Sequence, residues 1–255
     1  MLMVRGCGIS KRYRVGKPAT SLKEALNCWL SGRQSADWFW ALRDVSLSVN
    51  AGEAVGIVGN NGAGKSTLLR MLARLIKPTA GQIETKGRIA ALLDLGAGFH
   101  PDLTGRENIF LNGTLLGLTR AEIKKQFDEI VAFSELERFI DTPVKQFSSG
   151  MTLRLSFAIA AHVSCDLLLV DEVLSVGDTS FGEKCLARMR SLRNQGMTII
   201  LTSHDIGTVV DFCSRALLLE GGRLIGDGRP QDVADLYGSA TNSLETMDRW
   251  EVLRS

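Results

Sequence analysis

The sequence predicts an α/β fold, a mixed-sheet body with an α-helical subdomain inserted into it. Beyond residue 50, short apolar runs alternate with stretches of helical periodicity, the pattern of strands covered by helices. A strand, a glycine-rich loop and a helix follow one another over residues 54–76. Between about residues 104 and 163 the strands disappear and amphipathic helices succeed each other. At 255 residues the chain fits one large domain with its own core.

In chain order, Ala54-Val55-Gly56-Ile57-Val58 reads as a buried strand. Lys65 to Ile76 reads as a helix with Leu68, Leu69, Leu72 and Leu75 on one stripe, stopped by Pro78. Leu167–Val170, Thr198–Leu201 and Ala216–Leu219 are further apolar strands, separated by helical stretches at about 179–195 and 205–213. Gly221-Gly222 joins two short strands as a hairpin, and Pro230 suits the first turn of a last helix. Residues 241–255 show no element and form a C-terminal tail. Residues 17–40 are an addition that a compact body does not require. There Ser21-Leu22-Lys23-Glu24 is a capping box, and Leu22, Ala25, Leu26, Trp29 and Leu30 form one apolar face before Gly32. That short amphipathic helix either packs on its own body or meets a partner or membrane.

With 30 Lys+Arg against 28 Asp+Glu, the chain is not a broadly polybasic nucleic-acid binder, and 45% hydrophobic residues exclude a disordered one. No run approaches about 18 apolar residues, and Met1-Leu2-Met3-Val4-Arg5-Gly6 lacks a secretory leader, so a soluble cytoplasmic protein is expected. Cysteines 7, 28, 165, 185 and 213 are scattered and odd in number. They read as reduced, mostly buried small hydrophobes rather than a disulfide framework or zinc site. Charge is uneven: residues 1–50 hold a local +5 and three of the four tryptophans, Trp29, Trp38 and Trp40. Together these point to a surface used against something anionic or amphipathic.

Gly59-Asn60-Asn61-Gly62-Ala63-Gly64-Lys65-Ser66-Thr67 fits G-x-x-x-x-G-K-[ST] between a strand and a helix, the P-loop arrangement. Glycines let successive amides point at phosphate oxygens, and the helix N-terminus adds its dipole. Lys65 would hold the β- and γ-phosphates and Ser66 would ligate Mg²⁺. Leu167-Leu168-Leu169-Val170-Asp171-Glu172 delivers two carboxylates at a strand's C-terminal end, where such sheets bind ligands. Asp171 would bind Mg²⁺ directly or through water, and Glu172 would orient or deprotonate the attacking water.

Phe147-Ser148-Ser149-Gly150-Met151 stands just before the apolar stretch Leu153 to Val163 and upstream of Asp171. Alone it is a Ser-Gly turn capping a helix. In order and spacing with the two phosphate motifs it resembles the signature, usually L-S-G-G-Q, of the ATP-binding cassette (ABC) ATPases. The resemblance implies that Ser148 and Gly150 contact the γ-phosphate of ATP held by the opposite subunit, with Ser149 between them. It also implies that Ser175-Val176-Gly177-Asp178 is the dimer-contact loop with Asp178 as its acidic residue. His204, in Thr202-Ser203-His204-Asp205, becomes the switch histidine. Tyr13 either stacks on adenine or is a core aromatic. The family's Gln between the phosphate motifs is missing from Leu92-Leu93-Asp94-Leu95-Gly96-Ala97-Gly98-Phe99-His100-Pro101; Asp94 is the nearest polar group.

That run, with Leu103-Thr104-Gly105-Arg106-Glu107-Asn108, Phe147–Met151, Val173–Asp178 and Phe39-Trp40-Ala41-Leu42, looks like the ATPase subunits of bacterial polysaccharide exporters, which handle O-antigen, capsule and teichoic acid chains. The resemblance covers about residues 4–240. It implies an ATP-dependent homodimer, a peripheral motor at the cytoplasmic face of the inner membrane, working with two integral membrane permease subunits on a lipid-linked polysaccharide. Some O-antigen members of that group carry an additional C-terminal carbohydrate-binding domain, which a chain of 255 residues is not expected to hold. Two other readings stay open: a non-transport ABC ATPase acting on ribosomes or DNA, which usually needs a second cassette or coiled-coil insertion, and an exporter of another cargo.

Overall fold

The computed structural model describes residues 1–15, 37–93, 98–171 and 179–239. Two sheets carry the molecule. Strands β1 (Leu2–Val15), β2 (Asp37–Asn50) and β4 (Ala80–Thr85) form an antiparallel sheet in the order β2-β1-β4. The larger sheet also takes β3 (Ala54–Val58), β5 (Ile89–Leu92), β6 (Leu167–Asp171), β7 (Thr198–Thr202), β8 (Arg215–Glu220) and β9 (Arg223–Gly228), in the order β5-β6-β7-β3-β8-β9. All but the hairpin partner β9 run parallel, so the sheet is mixed.

The parallel strands are continuous apolar runs because both faces are buried. Successive side chains point to opposite faces, so Val55, Ile57, Leu167, Leu169, Ile200, Leu217 and Leu219 pack toward the antiparallel sheet and helix α1 (Lys65–Leu72). The alternate residues Ala54, Val58, Leu168, Val170, Ile199, Leu201 and Leu218 join the helical side. That side holds α2 (Gly105–Leu115), α3 (Arg120–Ser134), α4 (Ser149–Ala161), α5 (Thr179–Asn194) and α6 (Ile206–Phe212). A last helix, α7, covers residues 230–239 and starts at Pro230. Thr104–Glu107 and Thr119–Glu122 are reciprocal capping boxes that start α2 and α3.

Several expectations need correction. Helix α1 ends at Leu72, not Ile76: Arg74 takes a left-handed conformation with φ 62°, and Leu75 and Ile76 donate back to the Arg70 carbonyl. Leu75 is therefore 65% exposed and leaves the buried stripe. Residues 37–40, expected in the added segment, belong to β2, where Asp37, Trp38, Phe39 and Trp40 pair with Val15, Arg14, Tyr13 and Arg12. Cys7 is exposed, whereas Cys185 and Cys213 are buried thiols, each pushed up to about 12 by that burial. Residues 17–36, with the expected helix, lie outside the described residues, as does the 241–255 tail. Among the described residues no helix is long and apolar enough to cross a membrane.

Candidate nucleotide site

Neighbouring β6, β7 and β3 run parallel, so the chain leaves all three at one edge of the sheet. Three expected motifs meet there. The P-loop leaves β3, Asp171 ends β6, and Thr202-Ser203-His204 ends β7. Register places Thr202 beside both Ile57 and Asp171. Its hydroxyl donates to Asp171 Oδ1 at 2.5 Å, which fixes the carboxylate at the sheet edge.

The loop from Gly59 to Gly64 wraps because its glycines adopt backbone angles that other residues avoid: φ is 149° at Gly59, 80° at Gly62 and 107° at Gly64. Space is as restrictive as angle at Gly59, where a Cβ would stand 2.2 Å from the Leu219 carbonyl oxygen. Ala63 N–H closes the turn on the Asn60 carbonyl at 3.1 Å. Lys65 is only 5% exposed, and its ammonium donates to the carbonyls of Gly59 (2.7 Å) and Asn60 (3.3 Å). Ser66 and Thr67 follow on the first turn of α1, their side chains half-buried.

A cleft of about 280 Å³ opens over this loop, lined by Asn61 to Thr67 together with Tyr13, Phe39 and Ala41. Tyr13 is therefore a rim residue, not a core one, at 41% exposure. It lies within β1, directly opposite Phe39, which is 52% exposed. Directly paired side chains share a face, so two aromatic rings edge the cleft. In the sequence Phe39 carries no site signal beyond the group resemblance of Phe39-Trp40-Ala41-Leu42. Its place in the cleft comes from a strand pairing across residues 16–36, which no local pattern encodes. Behind this rim, Arg12 lies over Trp38 at 4.3 Å and Trp40 at 5.6 Å.

The remaining expected residues divide into two sets. His204 is exposed beside Asp205, whose carboxylate accepts from the Gly207 and Thr208 amides and caps α6. The hydroxyl of Thr208, with those amides, holds the Asp205 carboxyl below its usual range. Ser148 caps α4, accepting from the Met151 amide at 3.2 Å. Ser148 and Ser149 are exposed, and a Cβ on Gly150 would meet nothing closer than Ser148 Oγ at 3.8 Å. None of the three lines the P-loop cleft. Glu172, Asp178 and Asp94 lie outside the described residues.

A parallel-sheet edge that brings together a glycine loop with its lysine, a strand-end carboxylate and an aromatic rim defines a P-loop nucleotide-binding protein. The chain belongs to the ABC transporter family, whose model matches residues 42–175. It is 46% identical over 211 residues to an O-antigen export system ATP-binding protein RfbB of Klebsiella pneumoniae, covering 83% of this chain and 84% of that protein. It is 50% identical to the Myxococcus xanthus protein of the same name, over 89% of this chain and 52% of the relative. A teichoic acids export ATP-binding protein TagH of Lactococcus lactis is 40% identical over 90% of this chain and 49% of its own length. The chain thus spans about half the length of two of these curated relatives. Among solved structures, a dimeric ATP-binding cassette in a post-hydrolysis state with ADP and Pi superposes with a TM-score of 0.73. It is 25% identical, covering 89% of this chain and 99% of that one.

Proposed function

We propose that this chain is the ATP-hydrolysing subunit of an ABC exporter that drives a lipid-linked, O-antigen-like polysaccharide across the bacterial inner membrane. The observation that carries the mechanism is the separation of Ser148, Ser149 and Gly150 from the chain's own cleft. An exposed, capped helix start with open space at its glycine is suited to a phosphate brought by another molecule. A second copy supplies one, so two chains close on two ATP molecules, each cleft facing the other's signature helix. The dimeric state of the similar cassette supports this arrangement.

Within one cleft, Tyr13 and Phe39 offer the base an aromatic surface to stack on and the P-loop amides hold the phosphates. Lys65 exchanges the Gly59 and Asn60 carbonyls for the β- and γ-phosphates, a short movement of an already desolvated ammonium. Ser66 and Asp171 offer a hydroxyl and a carboxylate, the hard oxygen donors that suit Mg²⁺. When bound there, Mg²⁺ neutralises charge on the phosphate oxygens. Glu172, one residue past Asp171, orients and deprotonates the attacking water, while His204 at the end of the adjacent strand faces the terminal phosphate. Ser148, Ser149, Gly150 and Asp178 of the second copy complete the site. The division into a body and a helical subdomain over about 104–163 follows the same reading, since the subdomain carries the signature to the partner.

The cargo and location rest on the relatives named for O-antigen and teichoic acid export. The motor is then peripheral at the cytoplasmic face, with two permease subunits forming the channel and no nucleic acid involved. The Arg12–Trp38–Trp40 stack next to Tyr13 and Phe39 serves as a contact for a permease, and the basic, aromatic sequence of residues 17–36 is assigned the same role. In cells lacking the gene, the wild-type chain restores surface polysaccharide and Lys65→Ala does not. Restoration by Lys65→Ala, or unaltered surface polysaccharide in the deletion, would overturn the assignment.

A further inference from the structure

Asn60 sits at the start of the P-loop and accepts three hydrogen bonds, two from the loop itself and one from far along the chain. Its carbonyl accepts from the Ala63 amide, which closes the loop, and from the Lys65 ammonium. Its side-chain Oδ1 accepts from the Tyr237 hydroxyl at 2.9 Å, across 177 residues of sequence. Tyr237 belongs to α7, outside the family-model match at residues 42–175. Helix α7 is anchored independently: Val233 is buried, Tyr237 packs on the core of the helical side, and Leu236 lies beside Gly226 of β9. The space between Tyr237, Asn60, Leu218, Leu219, Glu220 and Ile225 is only about 10 Å³. The half-buried ring is thus seated against β8 and β9, and its hydroxyl reaches the loop at the surface.

We propose that Tyr237 is a positioning residue for the nucleotide site, its hydroxyl holding Asn60 so that the P-loop keeps its phosphate-binding shape before nucleotide arrives. This rests on the reading of the loop as an ATP site. Asn60 is absent from the residues lining the cleft, whose wall begins at Asn61. The Tyr237 bond thus grips the loop from outside the cavity and persists when the cavity fills. Holding the loop in its bound shape removes part of the ordering cost of binding. Helix α7 consequently becomes a handle on nucleotide affinity, and a displacement of α7 loosens the grip on ATP.

The test uses the full chain, with Mg·ADP affinity by titration calorimetry and the melting temperature without nucleotide. Tyr237→Phe keeps the ring and removes the hydroxyl, so the nucleotide-free protein melts within about 2 °C of wild type, while its affinity falls by roughly 3- to 10-fold, the range of one neutral hydrogen bond. Asn60→Ala weakens binding too, and the double variant binds no more weakly than the weaker single variant, because both remove one interaction. In steady-state hydrolysis by Tyr237→Phe the KM for ATP rises while kcat at saturation is kept. Wild-type affinity in Tyr237→Phe, or strictly additive losses in the double variant, would overturn the proposal. A merely structural tyrosine would lower the melting temperature without this coupling. If the wild-type chain itself takes up no nucleotide, the ATP-site reading fails and this inference with it. Wild-type binding with an unaffected Tyr237→Phe removes the inference alone.

Discussion

Gly59 and Gly150 separate what folding demands from what a ligand demands. At Gly59 the backbone sits at φ 149° and a Cβ would stand 2.2 Å from the Leu219 carbonyl, so the residue serves the fold as much as the phosphate site. Gly59→Ala should cost more than about 1 kcal/mol and show as a lower melting temperature. Gly150 is different: it is the second residue of α4, and its Cβ would find ordinary contact distance only. Alanine there should leave or raise the melting temperature, since glycine costs a helix roughly 0.5–1 kcal/mol. ATP turnover should nevertheless fall at least tenfold, because in the proposed dimer the added methyl would stand where the second copy's phosphate docks. Thermal melts and a phosphate-release assay on the two variants read both effects, and a stable, fully active Gly150→Ala would remove the signature's role.

The element that joins this exposed turn to the core is α4. Its Phe157 is fully buried and stacks with Phe133 of α3 at 6.1 Å and meets Phe181 of α5 edge-on at 6.4 Å. Over these rings, Glu135 accepts from Arg154 at 2.7 Å and Lys184 at 2.9 Å, tying α4 to α5. The pairs are partly exposed, so they fix orientation more than they stabilise. The aromatic cluster carries the energy: Phe157→Ala should cost about 3–5 kcal/mol by denaturant unfolding. A loss under 1 kcal/mol would mean that the cluster does not hold the signature helix. The same element scale shows why some of the fold is readable. The parallel strands β3, β6, β7 and β8 are unbroken apolar runs, since each is buried on two faces. β1 escapes such reading because register shifts near Ile9 and Lys11 break its period-two pattern, whereas Val45, Leu47 and Val49 of β2 are buried in alternation with Ser46, Ser48 and Asn50, a legible strand signal absent from the expected elements. The end of α1 was misplaced for a local reason, a left-handed Arg74 that no propensity signals.

Across the whole molecule, three motifs at residues 59–67, 171 and 202–204 converge because β3, β6 and β7 are parallel neighbours. That convergence was legible, since each motif sits at the end of an apolar strand. Residues that reach the site through strand pairing or a long-range helix contact were not. Phe39 arrives through pairing with Tyr13, and Tyr237 through a side-chain bond from the far end of the chain. The net charge of +2 also conceals a basic, tryptophan-rich end that borders the cleft, where Arg12 stacks on Trp38 and Trp40. The central claim is that two copies close around ATP, each completing the other's site. Sedimentation velocity of Glu172→Gln with Mg·ATP tests it most directly, since slowed hydrolysis should preserve the closed pair. A dimer is expected with Mg·ATP, disappearing with ADP and in the Lys65→Ala/Glu172→Gln double variant; a Glu172→Gln protein that stays monomeric with Mg·ATP, even when joined to its membrane subunits, would rule out the paired site.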